Sequence, residues 1–142
     1  MIVSNTTPLS NFLHLGQTSL LQQIFKEIHI PEAVKKEIDT FFHKNEDWNH
    51  CLNKKFIIIE KVKSKVFLKQ LMTILHIGEA ETIYLCLENE TRLCLMDDKD
   101  ARNIAHLNSI KLSGTLSILI QAKKTDLSKA PYIKVIPHPL TA

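Results

Sequence analysis

Arg92-Leu93-Cys94-Leu95-Met96 is a short apolar run that stops at two carboxylates, Asp97-Asp98, and passes at once into Lys99-Asp100-Ala101-Arg102. A brief apolar run bounded by a polar turn reads as a buried strand. Beyond the turn, Ala101, Ile104, Ala105 and Leu107 make the following helix. The stretch is therefore strand, acidic turn, helix. The chain opens in a related way. Met1-Ile2-Val3-Ser4 is apolar and runs into Asn5-Thr6-Thr7-Pro8, which reads as a buried edge of a sheet ending in a polar turn. Thr7 is the expected N-cap and Pro8 fits a first helical turn. Leu9, Phe12 and Leu13 then form a helical stripe that Gly16 stops.

The alternation continues between and beyond these two units. Residues 19–25 read as a second short helix and Ile28-His29-Ile30 as a brief strand. Pro31 opens a helix, with Glu32 near its positive end and Ala33, Val34, Glu37, Ile38 and Phe41 along one stripe. Residues 43–53 are polar and read as irregular around Trp48. Phe56-Ile57-Ile58-Ile59 is a β-branched strand, and residues 66–75 have helical spacing. Glu79 begins another helix with Ala80, Ile83, Tyr84 and Leu87 on its apolar face. Ile110-Lys111-Leu112 is a short strand, and Ser113-Gly114-Thr115 caps a helix through Leu116, Leu119, Ile120 and Ala122. The tail carries Pro131, Pro137 and Pro139, with a strand near residues 133–136. Strands alternating with helices predict an α/β domain, a central parallel sheet flanked by helices on both faces. Such sheets bind ligands beyond the carboxyl ends of their strands, which directs attention to Asn5 and to Asp97-Asp98.

The bulk properties narrow the class. The 142 residues fit one domain, 1–142, with 44% hydrophobic and 23% charged residues. Three glycines leave little room for flexible linkers. The formal charge of +3 permits nucleic-acid binding without requiring it. Lys54, Lys55, Lys61, Lys63, Lys65 and Lys69 gather mid-chain, either as a basic patch or as a solvated face. Cys51, Cys86 and Cys94 are odd in number and lack CxxC spacing, which argues against a disulfide framework or a zinc knuckle. No secretory leader pattern and no bilayer-length apolar run is present, so a cytoplasmic protein without membrane contact is expected.

The polar residues at strand ends and helix starts are Asn5, Glu37, Glu79, Asp97 and Asp98. A hard cation such as Mg²⁺ prefers oxygen ligands, and a carboxylate-held cation can activate phosphodiester cleavage. Each residue also has a plainer reading. Glu79 and Glu81 suit a helix N-terminus, Asp97 a turn, and Asp98 an N-cap. Ser113-Gly114-Thr115 can grip a phosphate or simply cap its helix, and Thr115 can border the acidic pocket. Arg102 can bind an RNA phosphate or pair with Asp98 or Glu79. Trp48 is either a partner anchor or a buried ring. The seven histidines form no HExxH or HxH pattern.

Four segments carry a resemblance. Residues 2–9 (Ile-Val-Ser-Asn-Thr-Thr-Pro-Leu), 30–38 (Ile-Pro-Glu-Ala-Val-Lys-Lys-Glu-Ile), 78–83 (Gly-Glu-Ala-Glu-Thr-Ile) and 95–102 (Leu-Met-Asp-Asp-Lys-Asp-Ala-Arg) resemble, in order, the PIN domain, in particular the branch of toxin-type VapC ribonucleases. Residues 111–116 and Ala122-Lys123 fit the same branch. The resemblance implies a parallel sheet with an acidic pocket at its carboxyl edge, and Mg²⁺- or Mn²⁺-dependent cleavage of RNA. It also implies an antitoxin protein as partner and a homodimer, which apolar helices near the N-terminus would support. By position Glu37 matches the second acid, Glu79 the third and Asp98 the fourth, with Asp97 its rival. Thr6 or Thr7 matches the hydroxyl after the first acid, and Thr6, Arg102 and Thr115 are expected at the substrate.

The departure is Asn5, where the family usually has Asp. An amide offers a neutral carbonyl oxygen, so metal affinity should fall. Two functions follow: a metal-dependent endoribonuclease acting as the toxin of a toxin–antitoxin pair, or a catalytically impaired PIN-like module that binds RNA or protein. A phospho-receiver domain fits worse, because its acidic pair belongs near the first strand and here the pair falls late.

Overall fold

β1 (Ile2–Ser4) sits at the centre of a five-stranded parallel sheet rather than at its edge. The computed structural model describes residues 1–63, 66–91 and 93–124. β1 pairs on one side with β2 (Ile28–Pro31), which pairs with β3 (Ile57–Glu60). On the other side it pairs with β4 (Leu93–Leu95), which pairs with β5 (Leu112–Ser113). The spatial order is β3-β2-β1-β4-β5. The central place follows from burial on both faces: Ile2 packs into one core and Val3, its neighbour, into the other. Arg92 and the strand anticipated at 133–136 lie outside the described residues, as does Lys65.

The helices run between the strands in chain order. They are α1 (Thr6–Leu15), α2 (Thr18–Ile24), α3 (Glu32–Phe42), α4 (Glu46–Asn53), α5 (Val66–Leu71), α6 (Ile77–Glu88), α7 (Lys99–Leu107) and α8 (Thr115–Lys124). One face of the sheet carries Phe12, Leu20, Ile38, Trp48 and Ile118 from α1 to α4 and α8, packed on Ile2, Ile28, Ile30 and Leu95. The other carries Leu71, Ile83, Ala101 and Ala105 from α5 to α7, packed on Val3, Cys94 and Met96. Fully burying a Leu or Ile side chain is worth about 1.5–3 kcal/mol, so both layers are firmly clamped to the strands.

Three further expectations change. Thr7 does not cap α1: Asn5 does, its Oδ1 accepting from the Thr6 N–H at 2.8 Å. Phe41 does not join the α3 stripe; Phe42 takes that place with Val34 and Ile38, at spacings of four, and Phe41 is 81% exposed. Residues 46–53 are helical rather than irregular. Their helix signal lies in its start, not in an apolar stripe: Asn45 accepts from the Trp48 N–H at 2.9 Å, and Glu46 and Asp47 face the positive end of the dipole.

Trp48 is buried, and its Nε1–H donates to Asp39 Oδ1 at 2.8 Å. Burial alone would push the Asp39 carboxyl up, but hydrogen bonds from Lys35 and Trp48 hold it below the usual carboxylate value. The three cysteines are free and buried. Among the described residues no helix is long and apolar enough to cross a membrane.

Candidate functional site

The order of the sheet reverses between β1 and β4: later strands are laid outward from β1 on one side and from β4 on the other. The crevice beyond the carboxyl ends of these two strands is where a doubly wound sheet binds ligands. Asn5 follows β1 there, and Asp97 and Asp98 follow β4. The Asn5 N–H donates to the Leu95 carbonyl at 2.9 Å, tying the two turns together.

Two groups of side chains flank the start of α1. The first is built on Glu37, from the middle of α3. The Thr6 hydroxyl donates to Glu37 Oε2 at 2.7 Å. The same carboxylate lies over Gly78, in the first turn of α6, so closely that a Cβ there would collide with Oε1. Glu37 thus joins the end of β1, α3 and the start of α6. Glu79 is next in sequence and half-buried, but it is the third residue of α6 rather than its first. Glu81, one turn into the same helix, accepts a long 3.4 Å hydrogen bond from the Ala33 N–H. That bond serves the first turn of α3, whose own cap residue, Pro31, has no side-chain acceptor. Burial pushes the Glu81 carboxyl up, and the Ala33 N–H partly offsets it.

The second group is built on Asp97. Its Oδ1 accepts from the Thr115 N–H at 2.9 Å, and its Oδ2 from the Thr115 hydroxyl. Thr115 Oγ1 in turn accepts from Asn11 Nδ2 of α1 at 3.1 Å. A Cβ at Gly114 would lie 2.5 Å from Asp97 Oδ1 and 3.6 Å from an Arg102 guanidinium nitrogen. Asp98 turns the other way. Its Oδ1 accepts from the Ala101 N–H at 2.8 Å and caps α7, the plainer of its two readings.

Thr6 and Asn11 reach the two groups from one helix, five residues or about 7.5 Å apart along its axis. The structure therefore brings Asn5, Thr6 and Glu37 together on one side and Asp97, Thr115 and Arg102 on the other. Each of the two carboxylates is held by its own donors, Glu37 by Thr6 and Asp97 by Thr115. Among the described residues no three His, Cys, Asp or Glu side chains form a metal-binding group. Arg102 is exposed and makes no ion pair with Asp98 or Glu79, contrary to the pairing that its spacing suggested. Asn11 was missed by sequence reasoning; it sits on a polar flank of α1, with no motif to mark it.

Beside the Glu37 group an open groove of about 430 Å³ runs between α1 and α3, and Thr6 and Glu37 line one end.

A parallel sheet with polar side chains gathered at its switch point defines an α/β ligand-binding domain, and the chain belongs to the PIN-domain family, a nuclease-type fold, which its residues 1–135 match. The match reaches the domain and not the toxin-related branch. No curated protein matches the chain.

Proposed function

We propose that this protein is a metal-dependent endoribonuclease of the PIN type, the toxin of a toxin–antitoxin pair, with metal affinity reduced by Asn5. The observation that carries the reading is the Glu37 carboxylate, fixed by Thr6 and closed over Gly78 at the carboxyl edge of the sheet. A carboxylate anchored by one hydroxyl at a topological switch point has lone pairs left for a ligand.

The donor set suits Mg²⁺ or Mn²⁺ in a particular way. Mg²⁺ is commonly held by one or two carboxylates plus waters and substrate phosphate, so a cage of three acids is not required. Asn5 Oδ1 uses one lone pair on the Thr6 N–H and keeps a second. Glu37 from one side and Asp97 from the other are the two direct carboxylates, and Glu79, in the first turn of α6 next to Gly78, supports the site from outside that pair. Asp97 suits the fourth place better than Asp98, because its carboxylate is tied through Thr115 to Asn11 of α1, whereas Asp98 caps its own helix, α7. When bound, the cation supplies Lewis acidity toward the phosphodiester and acidifies a bound water.

The protein's own groups do the rest. Thr6 fixes the Glu37 carboxylate, and Thr115 fixes that of Asp97. Arg102, exposed and beside Gly114, holds an RNA phosphate. RNA is the substrate, an antitoxin protein the regulator, and a homodimer the assembly. The apolar side chains of α1 and α2 are spent on the chain's own core, so a dimer draws on other surfaces.

A second reading, a PIN-like binding module without catalysis, is favoured by Asn5 itself. The amide is buried and serves as a helix cap, a role that needs no metal. Calorimetry with Mn²⁺ on wild type and Asn5→Asp, with RNA cleavage in parallel, separates the two. Metal binding and cleavage by wild type, both lost in Glu79→Ala, support the nuclease. Activity only in Asn5→Asp supports the silenced module. No metal binding by either protein removes the site assignment.

A further inference from the structure

The α1–α3 groove begins at the Glu37 group and continues away from it. Along α1 it is lined by Thr6, Ser10 and His14, at spacings of four, which places them on one face of that helix. Along α3 it is lined by Glu37, Thr40 and Phe41. Thr6 meets Glu37 at one end, and His14 meets Phe42 edge-on at the other, with ring centroids 4.9 Å apart. The two helices therefore run side by side in the same sense. From Thr6 to His14 the groove extends about 12 Å.

Among the residues that line the groove, Phe41 is the one the fold does not explain. Its ring is 81% exposed, whereas its neighbour Phe42 supplies the core contact of that turn. An exposed aromatic ring, hydroxyls on both walls and a candidate phosphodiester-cleaving carboxylate at one end suit an unpaired base of a single strand. Such bases are bound by stacking on aromatic side chains and by polar contacts to their edges. A peptide partner would also use the ring, but it gives no reason for the groove to open onto Glu37.

Resting on the nuclease reading above, we propose that the α1–α3 groove is a nucleobase subsite, in which a base next to the scissile phosphate stacks on Phe41 within reach of Ser10, His14 and Thr40. The test is equilibrium binding of a short fluorescent single-stranded RNA, measured by anisotropy in EDTA and again with Mg²⁺. The proteins are wild type, Phe41→Ala and Phe41→Trp; the RNAs are intact or carry one abasic site at successive positions.

Base stacking on an aromatic residue predicts that Phe41→Ala weakens binding by about 5- to 100-fold and that Phe41→Trp restores it. One abasic position should mimic the loss in wild type and add nothing in Phe41→Ala. Equal affinity of wild type and Phe41→Ala, or additive losses at every abasic position, overturns the subsite while leaving the nuclease reading intact if RNA is still cut. No RNA binding by wild type in either condition overturns both.

Discussion

Gly78 shows most directly how one residue separates site from fold. The space a Cβ would need is filled by Glu37 Oε1, the far end of a flexible side chain rather than backbone. Gly78→Ala should therefore fold, because Glu37 can swing aside, and alanine is the better helix former by about 1 kcal/mol. What it should lose is the Thr6–Glu37 hydrogen bond and the position of that carboxylate. The expected result is a melting temperature within a few degrees of wild type and clearly weaker Mn²⁺ binding by calorimetry. Unchanged Mn²⁺ affinity would remove Glu37 from the metal set. None of this coupling was visible from position alone. The ordered motifs marked Glu37, Glu79 and the Asp97-Asp98 pair as candidates, but a carboxylate's place in the sequence carries no information about which local donors claim it. Asp98 was claimed by its own helix and Asp97 by Thr115 across eighteen residues. Asn5 was legible both as a departure from the family and as a turn cap, and the structure has it capping.

At the scale of elements, four helices end in the same hydrogen-bonded turn. After α1, Gln17 N–H reaches back to Phe12 O; after α4, Phe56 to Cys51; after α6, Thr91 to Cys86; and after α7, Ile110 to Ala105. Each closes six residues, with the penultimate one in the left-handed region. At Gly16 that conformation, φ 64°, costs no steric strain. At Lys55, Glu90 and Ser109, with φ of 56°, 47° and 61°, a Cβ is forced into it. All three side chains are exposed, so little packing is lost on their removal. Glu90→Gly should stabilise the protein by up to about 1 kcal/mol, a rise of about 3 °C in Tm by circular dichroism. A fall in Tm would mean that the Glu90 side chain contributes more than the strain costs. The same ends explain which elements the sequence revealed. α1 had both a stripe and a glycine stop and was legible almost to the residue. α4 had only two fully buried side chains, Trp48 and Cys51, and a non-glycine stop, so its period was too weak to register. Periodicity gave β1 its burial but not its centrality, because an apolar run has no direction in which to count its neighbours.

For the molecule as a whole, the sheet decides which charges can act on a strand of RNA. All five strands are parallel, so their carboxyl ends share one edge, the edge that holds Asn5 and Asp97. The lysines that cluster in sequence are divided between that edge and the opposite one. Lys54 and Lys55 precede β3 and lie toward the opposite, amino edge. Lys61 and Lys63 follow β3 on the carboxyl edge, two strands or about 10 Å from β1. All four are exposed. RNA laid across the switch point can therefore meet Lys61, Lys63 and Arg102 while Lys54 and Lys55 face away. Each phosphate contact on a single strand contributes about 0.7 to the slope of log K against log salt. Lys61→Gln/Lys63→Gln should lower the slope of RNA binding by up to about 1.4, whereas Lys54→Gln/Lys55→Gln should leave it within error of wild type. Both double variants remove two positive charges, so net charge alone predicts the same change in each. Equal slopes in the two would show that RNA responds to the overall field of a mildly basic protein and does not lie along the carboxyl edge; unequal slopes in the expected sense would place RNA on that edge beside β3.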